Sequence, residues 1–320
     1  PYSFSRSAKN VMSAARQTIA ECIHAKSEEI FFTSGGTESD NWAIKGVALA
    51  HSKEQELITS AFEHHALLRS AEAMGEQLYP VVCVQPDKSG VVQPTKLKAV
   101  ITDKTAMVSV MMANNEIGTI QPIKELCTIA HQHGAVFHTD AVQAVGHIPI
   151  DVKDMGVDLL SASAHKFNGP KGVGFLYIRN GARIAPYVNG GSQESGMRAG
   201  TENVAAIVGM AEALRGNCMK IEENRKHISE LETRLLYGLR QLPISFHRNG
   251  AEPFLPGILS LSFPGFDGEA ILHRMDLMGI AISTGAACNS IETTISHVLR
   301  AIQLDERAAK GTVRISLGKN

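Results

Sequence analysis

The sequence predicts an α/β protein with a mostly parallel central sheet, helices on both faces of that sheet, and a smaller α+β domain after it. Two patterns support this prediction. Short apolar runs alternate with helical patterns through the first two hundred residues, which is typical of parallel sheets built from strand–helix–strand units. After about residue 220 the alternation stops and a long charged helix begins. We therefore expect a large domain over 1–220 and a small C-terminal domain over 221–320.

The predicted elements of the large domain follow one another regularly. A helix comes first, because apolar residues recur with helical spacing from Ala8 to Ile23. The predicted strands cover residues 29–33, 57–60, 78–84, 105–112, 135–138, 158–163 and 172–178. The helices between them cover 38–50 and 65–74, and a third begins at Pro122 and ends near Gly134, which are typical start and stop residues.

The small domain shows a different pattern. Its long first helix covers 221–239 and is rich in Glu, Lys and Arg, which is typical of a solvated face. Hairpin-like strands at 257–263 and 279–283 flank a helix at 268–278, and a last strand covers 312–317. These elements predict a mixed α+β unit.

Composition excludes several classes of protein. The 320 residues are 44% hydrophobic and 20% charged, which is enough apolar material for a packed core. Lys and Arg number 31 against 32 Asp and Glu, so no charge excess indicates binding to nucleic acid or to an anionic membrane. No apolar stretch approaches the roughly 18 residues of a membrane span, and the first residues lack the apolar core of a signal peptide.

The cysteines favour a reducing compartment, and we expect a cytoplasmic protein. They are odd in number and scattered without a C-x-x-C pair: Cys22, Cys83, Cys127, Cys218 and Cys288. This argues against a disulfide framework and against a cysteine-rich zinc site. We expect the first three to be small buried hydrophobes, whereas Cys218 lies beside charged residues. Cys288 differs because small and polar residues surround it, as an exposed nucleophile requires.

Candidate functional residues follow the predicted strands, where open α/β sheets bind their ligands. After the first strand, Gly35, Gly36 and Thr37 come directly before a helix. Two glycines and a helix N-terminus can form a phosphate cradle, although the same residues also suit a plain turn. Two histidines at 131 and 133 could suggest a metal, but at this spacing they point apart on a helix. We predict no metal site.

Two later strands end at residues that could act on one cofactor. Asp140 follows the strand at 135–138, with Gln143 one helical turn further, and Lys166 follows the strand at 158–163. Asp140 could simply cap a helix, and Lys166 could be a surface lysine. Alternatively, desolvation at the mouth of a buried strand would make Lys166 a Schiff-base nucleophile. A phosphate cradle, an acid, an amide and such a lysine are together what pyridoxal phosphate requires.

Eight separated runs resemble the cysteine desulfurases of the class V aminotransferase superfamily, which are fold-type I pyridoxal phosphate enzymes. They are FTSGGTESDN at 32–41, EH at 63–64, NNEIG at 114–118, HTDAVQ at 138–143, SAHK at 163–166, GMRAGT at 196–201, STGAAC at 283–288 and VRISL at 313–317. The likeness covers essentially the whole chain in order. Residues 288–296 resemble the longer loop of one of the two groups in this family.

The resemblance implies roles for residues at matching positions. Lys166 would bind the aldehyde of pyridoxal phosphate covalently, and Asp140 would hold the proton on its ring nitrogen. Gln143 would bond the ring hydroxyl. His64 would stack on the ring and move a proton to or from the substrate. The phosphate would be bound by Gly36, Thr37, Ser163 and His165, joined by Thr201 from a neighbouring subunit.

The implied reaction is the removal of sulfur from L-cysteine. Asn115, beside the cofactor, and Arg314 would hold the substrate carboxylate, for which a planar guanidinium is suited. Cys288 would attack the substrate sulfur, leaving alanine and a persulfide for a sulfur acceptor or an iron–sulfur scaffold protein. The resemblance also implies a homodimer, and it implies further segments at both ends, since family members usually begin earlier and continue later.

Two other functions remain open on the sequence. The first is another reaction of the same cofactor, such as that of a selenocysteine lyase, which product analysis would separate. The second is a scaffold that has kept the fold without catalysis. The presence of Lys166, Asp140 and Cys288 together argues against that second possibility.

Overall fold

A computed structural model describes residues 3–284 and 295–319 of the protein. Its main feature is a seven-stranded sheet with the strand order β1-β7-β6-β5-β4-β2-β3. The strands are β1 (Ile30–Thr33), β2 (Glu56–Ser60), β3 (Val81–Val84), β4 (Thr105–Ser109), β5 (Val136–Asp140), β6 (Leu159–Ser163) and β7 (Gly174–Ile178). Strands β4, β6 and β7 are buried along their whole length.

The sheet is mostly parallel, as predicted. Strands β3, β2, β4, β5 and β6 pair in parallel, whereas β7 runs antiparallel to both β6 and β1. A parallel connection needs about a dozen residues or more to cross the sheet. The segment 164–173 between β6 and β7 is shorter than that, so the chain turns back instead. All parallel strands consequently end at the same edge, where β5 ends at Asp140.

Helices accompany these strands in chain order. They are α1 (Ser3–Cys22), α2 (Gly36–Ala50), α3 (His65–Glu76), α4 (Pro94–Lys98), α5 (Ile123–Gln132), α6 (Val152–Met155) and α7 (Val204–Cys218). Helix α2 packs Trp42 and Val47, both fully buried, against the sheet residues Leu57 and Leu176. Helix α7 is not predicted from the sequence, because apolar and small residues lie on all its faces and weaken the helical period.

The chain divides into two compact units, the second of which contains residues 85–93, 113–121 and those from 222 onward. Its elements are α8 (Ile221–Arg240), β8 (His247–Arg248), β9 (Ile258–Ser262), α9 (Gly268–Leu277), β10 (Ser283–Thr284), α10 (His297–Ala301), α11 (Glu306–Lys310) and β11 (Thr312–Ser316). Its strands form an antiparallel sheet in the order β10-β11-β9-β8. The second unit therefore includes two short segments that precede residue 220.

Three predicted strands differ most from the structure: β3 begins at Val81 instead of residue 78, β4 ends at Ser109 instead of residue 112, and the third was predicted at 279–283. Residues 279–283 do not form a strand, and β10 contains only Ser283 and Thr284. The reason is Gly279, whose φ of 76° lies in the left-handed region that ends helices. Across 3–284 and 295–319, no helix combines the length and the apolar character that crossing a membrane requires.

Candidate active site

The turn between β1 and α2 is shaped by two glycines. Gly35, the residue before the helix, has a φ of +146°, a region that side chains disfavour. A Cβ on Gly36 would lie 2.6 Å from Val142 Cγ2 and 3.6 Å from Ser163 Cβ. The turn therefore packs closely against the residues that follow β5 and end β6. Helix α2 begins here with no side-chain cap at Gly35, and the N–H groups at a helix N-terminus lack partners within the helix and can bind an anion.

Asp140 is the last residue of β5 and is 5% exposed. Its Oδ1 accepts a hydrogen bond from Val142 N at 2.9 Å. Burial raises the pKa of this carboxyl to about 6, while the Val142 bond and the positive charge of Lys166 act in the opposite direction. A cation beside Asp140 would favour its ionised form. The residue is therefore placed to hold a positively charged group.

Lys166 lies on a short 3-10 turn, Ala164–Phe167, directly after β6. Its side chain is exposed, which agrees with the alternative of a surface lysine at a strand end and not with that of a lysine desolvated at the strand mouth. The reason is that β6 ends at Ser163 and the chain leaves the sheet before it reaches the lysine. On the same turn, Ser163 Oγ and His165 Nδ1 form a hydrogen bond of 2.9 Å.

His64 is the cap residue of α3 and is half-buried. Its Nδ1 accepts a hydrogen bond from Ala66 N at 3.1 Å, so the neutral ring carries its proton on Nε2. Burial lowers the pKa of His64, and the charges of His65 and Lys166 lower it further. Lys166 thus acts electrostatically on both His64 and Asp140, which indicates that the first unit brings these three side chains together.

A buried polar network lies beside Asp140, and the sequence analysis assigned no role to its members. His138 shares hydrogen bonds with Ser109 Oγ at 2.8 Å and Ser161 Oγ at 2.9 Å. Burial lowers its pKa to about 3, so it is neutral. Asp40 Oδ1 lies 3.9 Å from His138 Nε2, and burial together with Asp140 raises the pKa of Asp40. The sequence could have indicated His138, since it precedes Asp140 by two positions and therefore lies on the same face of β5.

The other residues assigned to the cofactor lie in loops and turns of the same unit. Gln143 is half-buried and lies in a run of turns. Thr37 is exposed in the first turn of α2, and Thr201 is exposed in the segment before α7. Cys288 lies outside the described residues, as does most of the loop assigned to the long-loop group.

The two residues assigned to the substrate carboxylate lie together in the second unit. Arg314, on β11, donates a hydrogen bond from Nη1 to the carbonyl oxygen of Asn115 at 3.1 Å. Among the described residues, its buried Nε has no hydrogen-bond partner. Burial raises the pKa of the adjacent Glu116 to about 7, against the effects of Ser296 and Arg314. Arg314 therefore retains donor capacity for an anion.

The described cysteines are free thiols that differ in exposure. Cys127 is buried as predicted, whereas Cys83 is exposed, and Cys22 and Cys218 are intermediate. The prediction for Cys83 is wrong because β3 is an edge strand of the sheet. Cys22 lies at the end of α1, where it is only partly covered.

The histidines at 131 and 133 pair with different acids. His131 Nε2 lies 2.8 Å from Asp158, and His133 Nδ1 lies 2.8 Å from Asp103. The two rings therefore point apart, as the spacing predicts.

Comparison with known proteins identifies the class to which this fold and this site belong. A family model described as Aminotransferase class-V matches residues 2–320. The chain therefore belongs to the class-V aminotransferase family, in the cysteine desulfurase group that its relatives define. Cysteine desulfurase IscS of Clostridium botulinum is 46% identical over 321 residues, which cover 99% of this chain and 81% of that protein. The enzyme of the same name from Methanosarcina thermophila is 46% identical over 320 residues, covering 99% and 79%.

Solved structures agree with this classification. A NifS-like protein superposes with a TM-score of 0.93 at 38% identity, covering all of this chain and 85% of that one. A structure described as SspA in complex with cysteine has a TM-score of 0.87 at 34% identity, covering 100% and 90%. The predicted fold, family and enzyme class are confirmed.

Proposed function

We propose that this chain is a pyridoxal phosphate-dependent enzyme that transfers the sulfur of L-cysteine to its own Cys288 and releases L-alanine. The observation that carries the proposal is the grouping of an exposed lysine, a buried acid and a histidine in the first unit. Lys166 influences the pKa of both Asp140 and His64. The relatives named cysteine desulfurase, which match 99% of the chain, support the choice of substrate.

The residues of the first unit fit pyridoxal phosphate in three respects. The N-terminus of α2 begins at a glycine turn with no side-chain cap, which suits a phosphate. Lys166 presents an exposed amine, which suits an aldehyde. Asp140 is buried, which raises its pKa, and a protonated ring nitrogen beside it would favour its ionised form.

Each of these residues then has a defined task. When bound, pyridoxal phosphate withdraws electrons from the carbon that carries the amino group of an amino acid. Asp140 keeps the ring nitrogen protonated, and Gln143 bonds the ring hydroxyl. Gly36, Thr37, Ser163 and His165 bind the phosphate, together with Thr201 of a neighbouring subunit.

The substrate is held and cleaved by a second set of side chains. Arg314 and Asn115 bind its carboxylate, since Arg314 keeps a donor nitrogen for it. His64 would contact the cofactor ring and would move a proton through Nε2, because its Nδ1 accepts the hydrogen bond from Ala66 N. The Cys288 thiol accepts the sulfur, so cysteine and enzyme thiol become alanine and enzyme persulfide with all atoms balanced.

The persulfide requires an acceptor and a reducing environment. We infer delivery to a sulfur-carrier or iron–sulfur scaffold protein, and a homodimer in which Thr201 reaches the neighbouring site. The four described cysteines are all free thiols, which favours the cytoplasm. Light scattering of the purified protein measures the oligomeric state directly.

A short pulse of L-cysteine tests the proposal. We expect one equivalent of alanine and a mass increase of about 32 Da, one sulfur atom, on the peptide that contains Cys288. Cys288→Ser should retain the cofactor but form neither product, whereas Cys218→Ser should behave like the wild type. Extra sulfur on Cys218 or Cys127, or normal alanine formation by Cys288→Ser, would show that the nucleophile is misassigned.

The alternatives give different results in the same assay. With a thiol present as reductant, a selenocysteine lyase would release alanine and selenide from selenocysteine and would leave L-cysteine unchanged. A scaffold without catalysis would show no yellow cofactor colour that borohydride bleaches.

A further inference from the structure

The turn that begins α2 is held by a side chain inside the helix. Glu38, the third helical residue, accepts a hydrogen bond on Oε2 from Ser34 N at 2.9 Å. A glutamate at this position usually reaches back to the N–H of the cap residue, but here it reaches one residue further. The cap residue Gly35 has no side chain to offer. Glu38 therefore fixes the turn through Ser34, and no side chain of the cap residue occupies the first N–H groups of the helix.

Arg198 binds the same carboxylate from a distant part of the chain. Its Nε lies 2.7 Å from Glu38 Oε1, and its Nη2 lies 3.1 Å from Oε2. Two parallel bonds of this kind form the strongest guanidinium–carboxylate geometry. The side chains are only 23% and 13% exposed, so water screens the pair weakly. Burial alone would raise the pKa of Glu38, but the bonds from Arg198 and Ser34 outweigh it and lower that pKa.

The segment that carries Arg198 holds the turn from its other side as well. Glu194 accepts hydrogen bonds from both terminal nitrogens of Arg16, at 2.7 and 2.6 Å, and from Phe32 N at 2.8 Å. Phe32 lies on β1, immediately before the turn, whereas Glu38 lies immediately after it. Residues 194–198 therefore clamp the turn on both sides.

The charge of Glu38 poses a problem for an anion at this helix N-terminus. A carboxylate in the first turn repels a phosphate that approaches the same N–H groups, and the repulsion is strong where water is limited. Arg198 cancels that charge through two direct bonds. We propose that Glu38 and Arg198 form a positioning pair for the phosphate of the cofactor, in which Glu38 shapes the turn and Arg198 makes it electrostatically acceptable to a dianion. This inference rests on the proposed function, because it takes pyridoxal phosphate as the ligand.

Opposite charge changes at the two positions test the proposal. Cofactor-depleted protein is titrated with pyridoxal phosphate and, in parallel, with pyridoxal, which lacks the phosphate. Arg198→Ala should raise the Kd for pyridoxal phosphate by about tenfold or more, the scale for one charged partner. Glu38→Gln keeps an acceptor for Ser34 N and should leave that Kd unchanged or lower it. Neither variant should change the Kd for pyridoxal.

The control is Arg215→Ala, which breaks an exposed ion pair with Glu212 and should change neither Kd. A purely structural pair would weaken binding in both variants alike, since each breaks the two-bond pairing between Glu38 and Arg198. The inference is therefore overturned if Glu38→Gln and Arg198→Ala weaken pyridoxal phosphate binding equally, or if Arg198→Ala does not weaken it.

Two further outcomes keep the test decisive. If Arg198→Ala does not fold, a loss of more than about threefold in Glu38→Gln overturns the inference by itself. If wild-type protein binds pyridoxal phosphate no better than pyridoxal, the phosphate site is absent and the inference falls. The proposed function falls with it only if Lys166 also forms no borohydride-reducible bond to either compound.

Discussion

The Nδ1 atom of His64 accepts the amide hydrogen of Ala66 at 3.1 Å. One side chain thereby caps helix α3 and holds a single tautomer. A second proton on the ring would place Nδ1–H against the Ala66 N–H and break this cap. The bond therefore favours neutral His64, in the same direction as burial and the charge of Lys166.

The pH profile should report this preference. The pKa of His64 is lowered, so the neutral, active form persists below the ordinary histidine value of about 6.5. We expect the acidic limb of kcat/KM to lie below that value and to disappear in His64→Gln, together with most of the activity. His273→Gln, at an exposed position in the second unit, should leave the limb in place. If the acidic limb of kcat/KM is unchanged in His64→Gln, the limb reports the titration of another group.

Lys166→Ala should abolish turnover and leave a stable protein. The substitution removes the amine that binds the cofactor aldehyde, whereas an exposed side chain contributes within about 0.5 kcal/mol to stability. Alanine release and thermal unfolding measure the two effects separately. Lys171→Ala, an exposed lysine beyond the same turn, serves as the control and should retain activity. Near wild-type turnover in Lys166→Ala would show that Lys166 is not a catalytic residue.

Asp140→Asn should reduce kcat by about two orders of magnitude or more, the scale for losing one key electrostatic partner. A neutral amide cannot hold a protonated ring nitrogen, although it can still accept the bond from Val142 N. Steady-state kinetics measures the effect, and bound cofactor is quantified by absorbance. The exposed Asp154→Asn is the control. A decrease in kcat smaller than about threefold would show that Asp140 contributes to local structure and not to catalysis.

Glu63→Gln should change how stability depends on pH. Glu63 is fully buried, and its Oε1 accepts bonds from Ser60 Oγ at 2.5 Å and Met111 N at 2.8 Å. Burial raises its pKa to about 8, against the effect of these bonds. A carboxyl with a raised folded-state pKa stabilises the protein below its unfolded pKa, and this stabilisation is lost as pH rises through about 8.

The measurement is the urea midpoint at pH values of about 5 and about 8. The wild type should lose stability over this interval relative to Glu63→Gln, which keeps an acceptor oxygen but has no proton to release. Asp40 and Asp140 lie near enough to interact with Glu63, and they titrate in both proteins. Equal changes in the two midpoints would show that Glu63 does not titrate in this range.

The sequence predicted where the strands beside the candidate residues end, because local pattern decides this. Asp140 and Lys166 follow strands because short apolar runs define where strands end, and parallel strands end at one edge. The turn at Gly35 and Gly36 could be predicted because glycine readily adopts the backbone angles that a tight turn before a helix requires. The tight packing of Gly36 against Val142 and Ser163 could not be predicted, because it depends on how β5 and β6 are placed beside β1 and α2.

By itself the sequence determined the α/β class, the order of the seven strands along the first unit and the residue types at the ends of those strands, because these depend on neighbours within a few positions. Only the tertiary structure decided which of those residues are buried and which charges meet. Lys166 is exposed because the chain leaves the sheet at Ser163, and Asp140 has a raised pKa because other strands cover it. The bond between Glu38 and Arg198 joins residues far apart in the chain. Burial and long-range charge pairing arise when distant segments pack, and no local pattern encodes that packing.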